Sequence, residues 1–202
     1  NYHNISVKNF RGAGCHSWRI MQNVNKTTIN IHKLTNVIDS GNIVSQLEVK
    51  FPKNIYNLEQ TYRYLKKYES KLFNRFLFNK HTNIVQSSEN FYWGGLKTLR
   101  DAYIDWSWDS NEILSFCNAF DEPFEGASTY YMNIIVQFKN VMIYKKNIYF
   151  HPFQYGTLVR HNKQGYFIAS KNGLILVKKI ISNKKIFFSL GKKFTTRKVN
   201  NN

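Results

Sequence analysis

The chain has 202 residues, 43% of them hydrophobic and 16% aromatic, enough to bury one sizeable core or two small ones. Its 29 Lys and Arg against 12 Asp and Glu give a net charge of +17, the footprint of a polyanion binder, although a Lys-, Asn- and Ile-rich composition produces such an excess without any partner. Cys15 and Cys117 form no disulfide framework and no C-x-x-C pair, and no apolar run reaches the length of a membrane helix, so the expectation is two buried thiols in a reducing, cytoplasmic setting.

The chain opens on Asn1-Tyr2-His3 with no leading strand or helix, so an upstream part is expected. Residues 12–22 read as a short helix after a Gly-rich turn. Ile29 and Ile31 alternate in a strand over 27–34, and Asp39-Ser40-Gly41 marks a turn before a second strand over 42–50. Leu58, Tyr62, Leu65, Leu72, Phe73, Phe76 and Leu77 give a helical stripe over 56–79, with Asn57 as its cap. Residues 80–104 read as a linker, and 110–119 as a helix capped by Ser110. Beyond 126, β-branched and aromatic runs at 134–145, 155–161, 165–170, 173–181 and 184–190 predict a small all-β module, with a disordered tail at 196–202.

The opening NYHNISVKNFRG resembles the folate-dependent formyltransferase segment N-x-H-x-S-x-L-P-x-[YWF]-R-G, with Asn1, His3, Phe10, Arg11 and Gly12 at the family's separations. VIDSGNIV at 37–44 is similar to the family's L-D-T-G-D-I, and the step from Asn1 to Asp39 matches as well. A third stretch, YIDWSWDSNEILSFCNAFDEPFEGAST, resembles a later family segment, so the matches span most of residues 1–135; the last sixty or so agree only in general character. Ile5 stands at the family's Ser position and Lys8 at its Pro position, which alters the loop that shapes the cofactor pocket.

The resemblance implies an α/β fold. Residues 1–105 would be the C-terminal half of a Rossmann-like catalytic domain, and 106–195 a small β-rich C-terminal domain. The missing N-terminal half would come from the same parent chain or from a partner, and exposed β edges make a homodimer plausible. It also implies transfer of a formyl group from 10-formyltetrahydrofolate to an amine. Asn1 would donate to the tetrahedral oxyanion, His3 would take the amine's proton, and Asp39 would orient and stabilise the imidazole. Ile5, Arg11 and Gly12 would line the cofactor site, and no metal is required. His16, His32, His81, His151 and His161 have no such support and read as ordinary histidines.

Two amine classes compete. DWSWDSNEILSFCNAFDEPFEGAST and HPFQYGTLVRHNKQGYFIASKNGLILV are more similar to enzymes acting on nucleotide-linked amino sugars, and FRGAGCHSWRIM departs from the Arg-Gly-Ala-Ala-Pro-Ile form of methionyl-tRNA formyltransferases. A sugar nucleotide is therefore the expected partner, and tRNA the alternative. Tyr92 and Trp93, in a Gly-bearing loop, are the candidate platform for the base, with Trp93 expected to be dispensable for folding. Trp106 and Trp108 are expected to pack the junction between the two parts. A non-catalytic module of the same fold and a nucleic-acid binder complete the alternatives.

Overall fold

The computed structural model describes residues 1–78, 81–86 and 91–196, so most of the expected tail at 196–202 and part of the expected linker lie outside the described residues. The chain forms two compact units, Asn1–Leu96 and Lys97–Asn202.

The first unit contains β1 (Tyr2–His3), β2 (Arg11–Gly12), α1 (Cys15–Met21), β3 (Lys26–His32), β4 (Ile43–Lys50), α2 (Leu58–Phe78) and β5 (Tyr92–Trp93). Its sheet runs β1-β3-β4 and is antiparallel, while β2 and β5 pair in parallel over two residues. Strand β3 is buried on both faces. Ile29 and Ile31 face α2 and join Val49, Phe51, Leu65 and Leu72 in one core. Asn30 and His32, one residue out of phase, lie on the opposite face. The register Tyr2↔Ile31 and His3↔Asn30 sorts β1 in the same way, so Tyr2 packs with the core while His3 shares the face of Asn30 and His32. Helix α2 starts as expected: Asn57 Oδ1 accepts from Gln60 N at 3.0 Å, and Gln60 Oε1 accepts from Asn57 N in return.

The second unit contains α3 (Thr98–Asp101), α4 (Ser110–Ala119), β6 (Ala127–Tyr131), β7 (Ile134–Lys146), a 3-10 turn (Pro152–Gln154), β8 (Leu158–Asn162), β9 (Gly165–Ser170), β10 (Gly173–Ile181) and β11 (Phe194–Thr195). Its antiparallel sheet has the order β11-β6-β7-β10-β9-β8. The two ends meet: Leu158 N donates to Lys192 O, Gly191 N to Leu158 O and Phe194 N to Gly156 O. These bonds join the sheet's two ends at residues 156–158, in the manner of a barrel. The tight β6–β7 and β9–β10 connections carry Asn133 and Asn172 at positive φ, which asparagine tolerates better than most residues.

Several expectations change here. Residues 97–105, read with the first part, bond into the second unit, where Ile104 N donates to Ser128 O and Ser128 N to Ala102 O. Asp109, not Ser110, caps α4, because its carboxylate reaches the backbone N–H of Asn111 and Glu112 while Glu112 returns a bond to Asp109 N. The expected strand at 184–190 is a loop. Phe188 packs on Tyr131, Ser189 N donates to Tyr131 Oη, and Phe194–Thr195 takes the ladder position beside β6. The sequence also missed β6, which is buried along most of its length and shows no alternation. Trp106 lies in the core of the second unit, donating to Thr129 Oγ1 and packing near Phe138 and Phe194; Trp108 packs on Phe116.

Candidate active site

Four side chains converge on the face of β3 turned away from α2. Asn1 and His32 exchange backbone hydrogen bonds, and the Asn1 Nδ2 then lies 3.2 Å from His32 Nε2. His3 Nδ1 lies 3.4 Å from Asp39 Oδ1, and His32 Nε2 lies 3.6 Å from the same oxygen. The structure thus brings Asn1, His3 and Asp39 into one cluster and adds His32, which sequence reasoning set aside. Its signal was the two-residue alternation from Asn30, which puts His32 beside β1 rather than in the apolar core.

The turn that delivers Asp39 is held from several sides. Asp39 adopts φ 53°, and its Oδ2 accepts from Gly12 N at 3.3 Å. Gln86 donates to Asp39 O and to Gly41 O, and its own oxygen accepts from Arg11 Nη2. Gln86 is a positioning residue that the sequence did not reveal, because no local pattern links it to residues 39–41. Gly41 is required by contact: a Cβ there would stand 1.8 Å from Lys33 O. Gly12 has φ +106°, and a Cβ there would meet Trp93 O at 2.5 Å.

The remaining expected residues are placed as follows. Ile5 is 1% exposed and packs with Phe10 and Cys15, so its side chain shapes the loop from inside and offers no surface to a cofactor. Arg11 is buried against Gln86. Trp93 packs near Phe10 and Trp18 and donates from Nε1 to Asn9 O at 2.9 Å, so it is a structural ring, and the expectation that folding would survive its loss is revised. Tyr92 is exposed beside Phe91 and lines a shallow depression of about 320 Å³ with Phe91 and Trp93. A larger cleft of about 600 Å³ is lined by Ser6, Lys8, Lys26, Thr28, Gln46 and Gln86 among others.

Burial sets the protonation of the site. Desolvation lowers the pKa of His3 and outweighs the opposing attraction of Asp39. His3 is therefore neutral at pH 7, and the Asp39 carboxylate selects the tautomer with the proton on Nδ1, which leaves the lone pair on Nε2. A neutral imidazole backed by a carboxylate, next to a carboxamide, is equipped to take a proton and to stabilise a developing oxyanion. Ligand atoms of His3, His32 and Asp39 all lie within 4.8 Å of one another.

Beneath the site, His16 is held neutral by burial, which pushes its pKa down to about 3, and by the Arg19 guanidinium. Its Nδ1 accepts from Arg19 Nε, while Nε2 meets Asn4 O. The unfolded chain protonates this imidazole near pH 6.5, so below that pH it binds a proton that the folded chain refuses. Stability should fall as the pH drops from about 6.5 toward 3, by up to about 1.4 kcal/mol per pH unit from this group. Urea midpoints measured across that range should flatten in His16→Gln; an unchanged slope would assign the acid loss elsewhere.

The family described as formyl transferase, C-terminal domain, matches residues 97–190. The match lies within the second unit. The bifunctional polymyxin resistance protein ArnA of Wigglesworthia glossinidia brevipalpis is 25% identical over 166 residues, covering 80% of this chain and 25% of that protein. Among solved structures, WlaRD, a sugar 3N-formyl transferase crystallised with dTDP and 5-N-formyl-THF, superposes with TM-score 0.63 at 19% identity over 92% of this chain and 65% of its own. Methionyl-tRNA formyltransferase from Clostridium thermocellum gives TM-score 0.59 at 19% identity over 70% of this chain and 62% of its own. The chain thus spans a quarter of the curated relative and less than two thirds of these two formyltransferase structures. The formyltransferase resemblance first read from Asn1, His3 and Asp39 is thereby joined by a domain match in a separate part of the chain. No helix among the described residues is long and apolar enough to cross a membrane.

Proposed function

We propose that the protein transfers a formyl group from 10-formyltetrahydrofolate to the amine of a nucleotide-linked amino sugar. The observation that carries this reading is the convergence of Asn1, His3 and Asp39, in a chain whose residues 97–190 match the C-terminal domain family of formyl transferases. His3 Nε2 takes the proton as the amine attacks the formyl carbon. Asp39 holds the ring and stabilises the imidazolium. The Asn1 carboxamide donates to the oxyanion, which collapses to release tetrahydrofolate. This transfer uses no metal.

The cofactor is assigned to the neighbourhood of Arg11 and Gly12. The cleft lined by Lys8 and Lys26 supplies amines suited to an anionic tail. Residues 1–96 are read as the C-terminal half of a Rossmann-like domain whose remaining strands come from the parent chain or a partner, and the setting as cytoplasmic. The exposed Tyr92 ring is the proposed base platform. Tyr92→Ala should raise the KM for the sugar nucleotide by about 5- to 150-fold, since stacking on one base contributes roughly 1–3 kcal/mol. An unchanged KM would remove Tyr92 from the site.

The +17 charge favours a second reading, methionyl-tRNA as the substrate. A formyl-transfer assay on the full-length protein, with a panel of nucleotide-linked amino sugars and methionyl-tRNA in parallel, separates the two. Turnover of a sugar nucleotide supports the first; turnover of tRNA alone keeps the chemistry and replaces the substrate; no turnover of any acceptor overturns both in favour of a non-catalytic module.

A further inference from the structure

We propose that His3, His32 and Asp39 also form a binding site for a zinc-like divalent transition ion, and that its occupancy switches off the base. The inference goes beyond the transfer reaction, and the binding itself does not depend on it.

The spacing fits coordination. Zinc–nitrogen and zinc–oxygen bonds of about 2.1 Å at tetrahedral angles set neighbouring ligand atoms about 3.4 Å apart. The His3 Nδ1 and His32 Nε2 atoms lie 3.4 and 3.6 Å from Asp39 Oδ1, two edges of such a polyhedron, and one ligand atom from each residue lies within 4.8 Å of the others, so binding draws the third edge in. Both distances also suit the edges of a coordination polyhedron.

The tautomer of His32 strengthens the case. Its Nδ1 lies 3.0 Å from Lys33 O, and a carbonyl only accepts, so that nitrogen carries the hydrogen. The Nε2 lone pair then faces the Asp39 carboxylate, acceptor against acceptor, in a side chain that is 2% exposed. The Asn1 amide at 3.2 Å satisfies part of this; a cation between Nε2 and Oδ1 would satisfy the rest. A ring nitrogen donating to a backbone carbonyl while the other points at the site is the usual outer support of a metal-ligating histidine. Two imidazoles and one carboxylate select zinc-like ions over magnesium or calcium, which take oxygen ligands. Asp39 and His3 keep 11% and 13% side-chain exposure, which leaves an approach for the ion and a fourth position for water.

The effect on catalysis follows from proton placement. In the metal-free site His3 has its hydrogen on Nδ1, facing Asp39, and its lone pair on Nε2. A metal takes the Nδ1 lone pair, so the hydrogen shifts to Nε2. The ring stays neutral and no net proton is lost, but the basic nitrogen is consumed.

Cobalt(II) is the probe, because four-coordinate cobalt absorbs in the visible. Titrated into the full-length protein, it should give a d–d band saturating at one equivalent and abolished by zinc. His32→Asn and Asp39→Asn, each checked for an unchanged circular dichroism spectrum, should weaken binding by about tenfold or more. His81→Asn, at an exposed histidine bonded to Phe76 O, should leave it unchanged. Absence of the band, or a band that survives both site variants, overturns the proposal. The optical signal separates it from the transfer reading: a band without formyl transfer leaves the site standing alone, and transfer without a band leaves only the transfer.

Discussion

His3→Ala should lower kcat for formyl transfer by about 10²–10⁴-fold while leaving the KM for both substrates within a few fold. In the proposed transfer the base interacts with the attacking amine as its proton leaves, so its removal acts on the transition state more than on binding. The structure gives His3 the properties this role needs. Burial holds the ring neutral, Asp39 fixes its hydrogen on Nδ1, and β1 locks its backbone beside Asn30. Asp39→Asn should also lower kcat, because an amide neither selects that tautomer nor stabilises the imidazolium, yet it keeps an oxygen for Gly12 N. Steady-state rates at saturating substrate are the measurement. A His3→Ala protein with wild-type kcat would remove the base from this position and leave the Asn1–Asp39 cluster as a binding feature.

Gly12→Ala should destabilise the first unit by about 2–5 kcal/mol, the sum of backbone strain at positive φ and overpacking against a rigid neighbour. At φ +106° an L side chain is strained, and the new Cβ would lie 2.5 Å from Trp93 O and 2.7 Å from Tyr92 Cε2. The carbonyl cannot easily retreat, because it accepts from Ala13 N and belongs to the strand paired with β2. Activity should fall with stability, since Gly12 N is a donor to the Asp39 carboxylate. Urea unfolding followed by tryptophan fluorescence reads the effect, because Trp18 and Trp93 sit at that strand pair. Gly95→Ala is the matched control: its Cβ would find Ala13 Cβ at 3.5 Å, an ordinary contact, so the midpoint should barely move. Equal effects at both positions would show that the close approach at Gly12 does not limit stability.

Local patterns carried much of the architecture. The stripe from Leu58 to Leu72 and the Asn57 cap specify α2, because helical period and cap chemistry depend on neighbours within one or two turns. Strands β9 and β10 begin and end where their β-branched runs do, and Asn172 turns between them for a backbone reason that asparagine itself supplies. The family spacing of Asn1, His3 and Asp39 likewise pointed to one cluster, and the structure brings these residues together. Tertiary structure decided the rest. Residues 184–190 carry strand-forming side chains, yet Tyr131 and Phe194 take up the rings and hydrogen bonds that would have made a ladder. His32 looked ordinary because no local pattern names its partners; only the pairing of β1 with β3 and the return of the 39–41 turn set it beside Asn1 and Asp39. Gln86 reaches the same turn from 45 residues away. Contacts of this range depend on strand register and turn closure, which a chain fixes only when it folds as a whole.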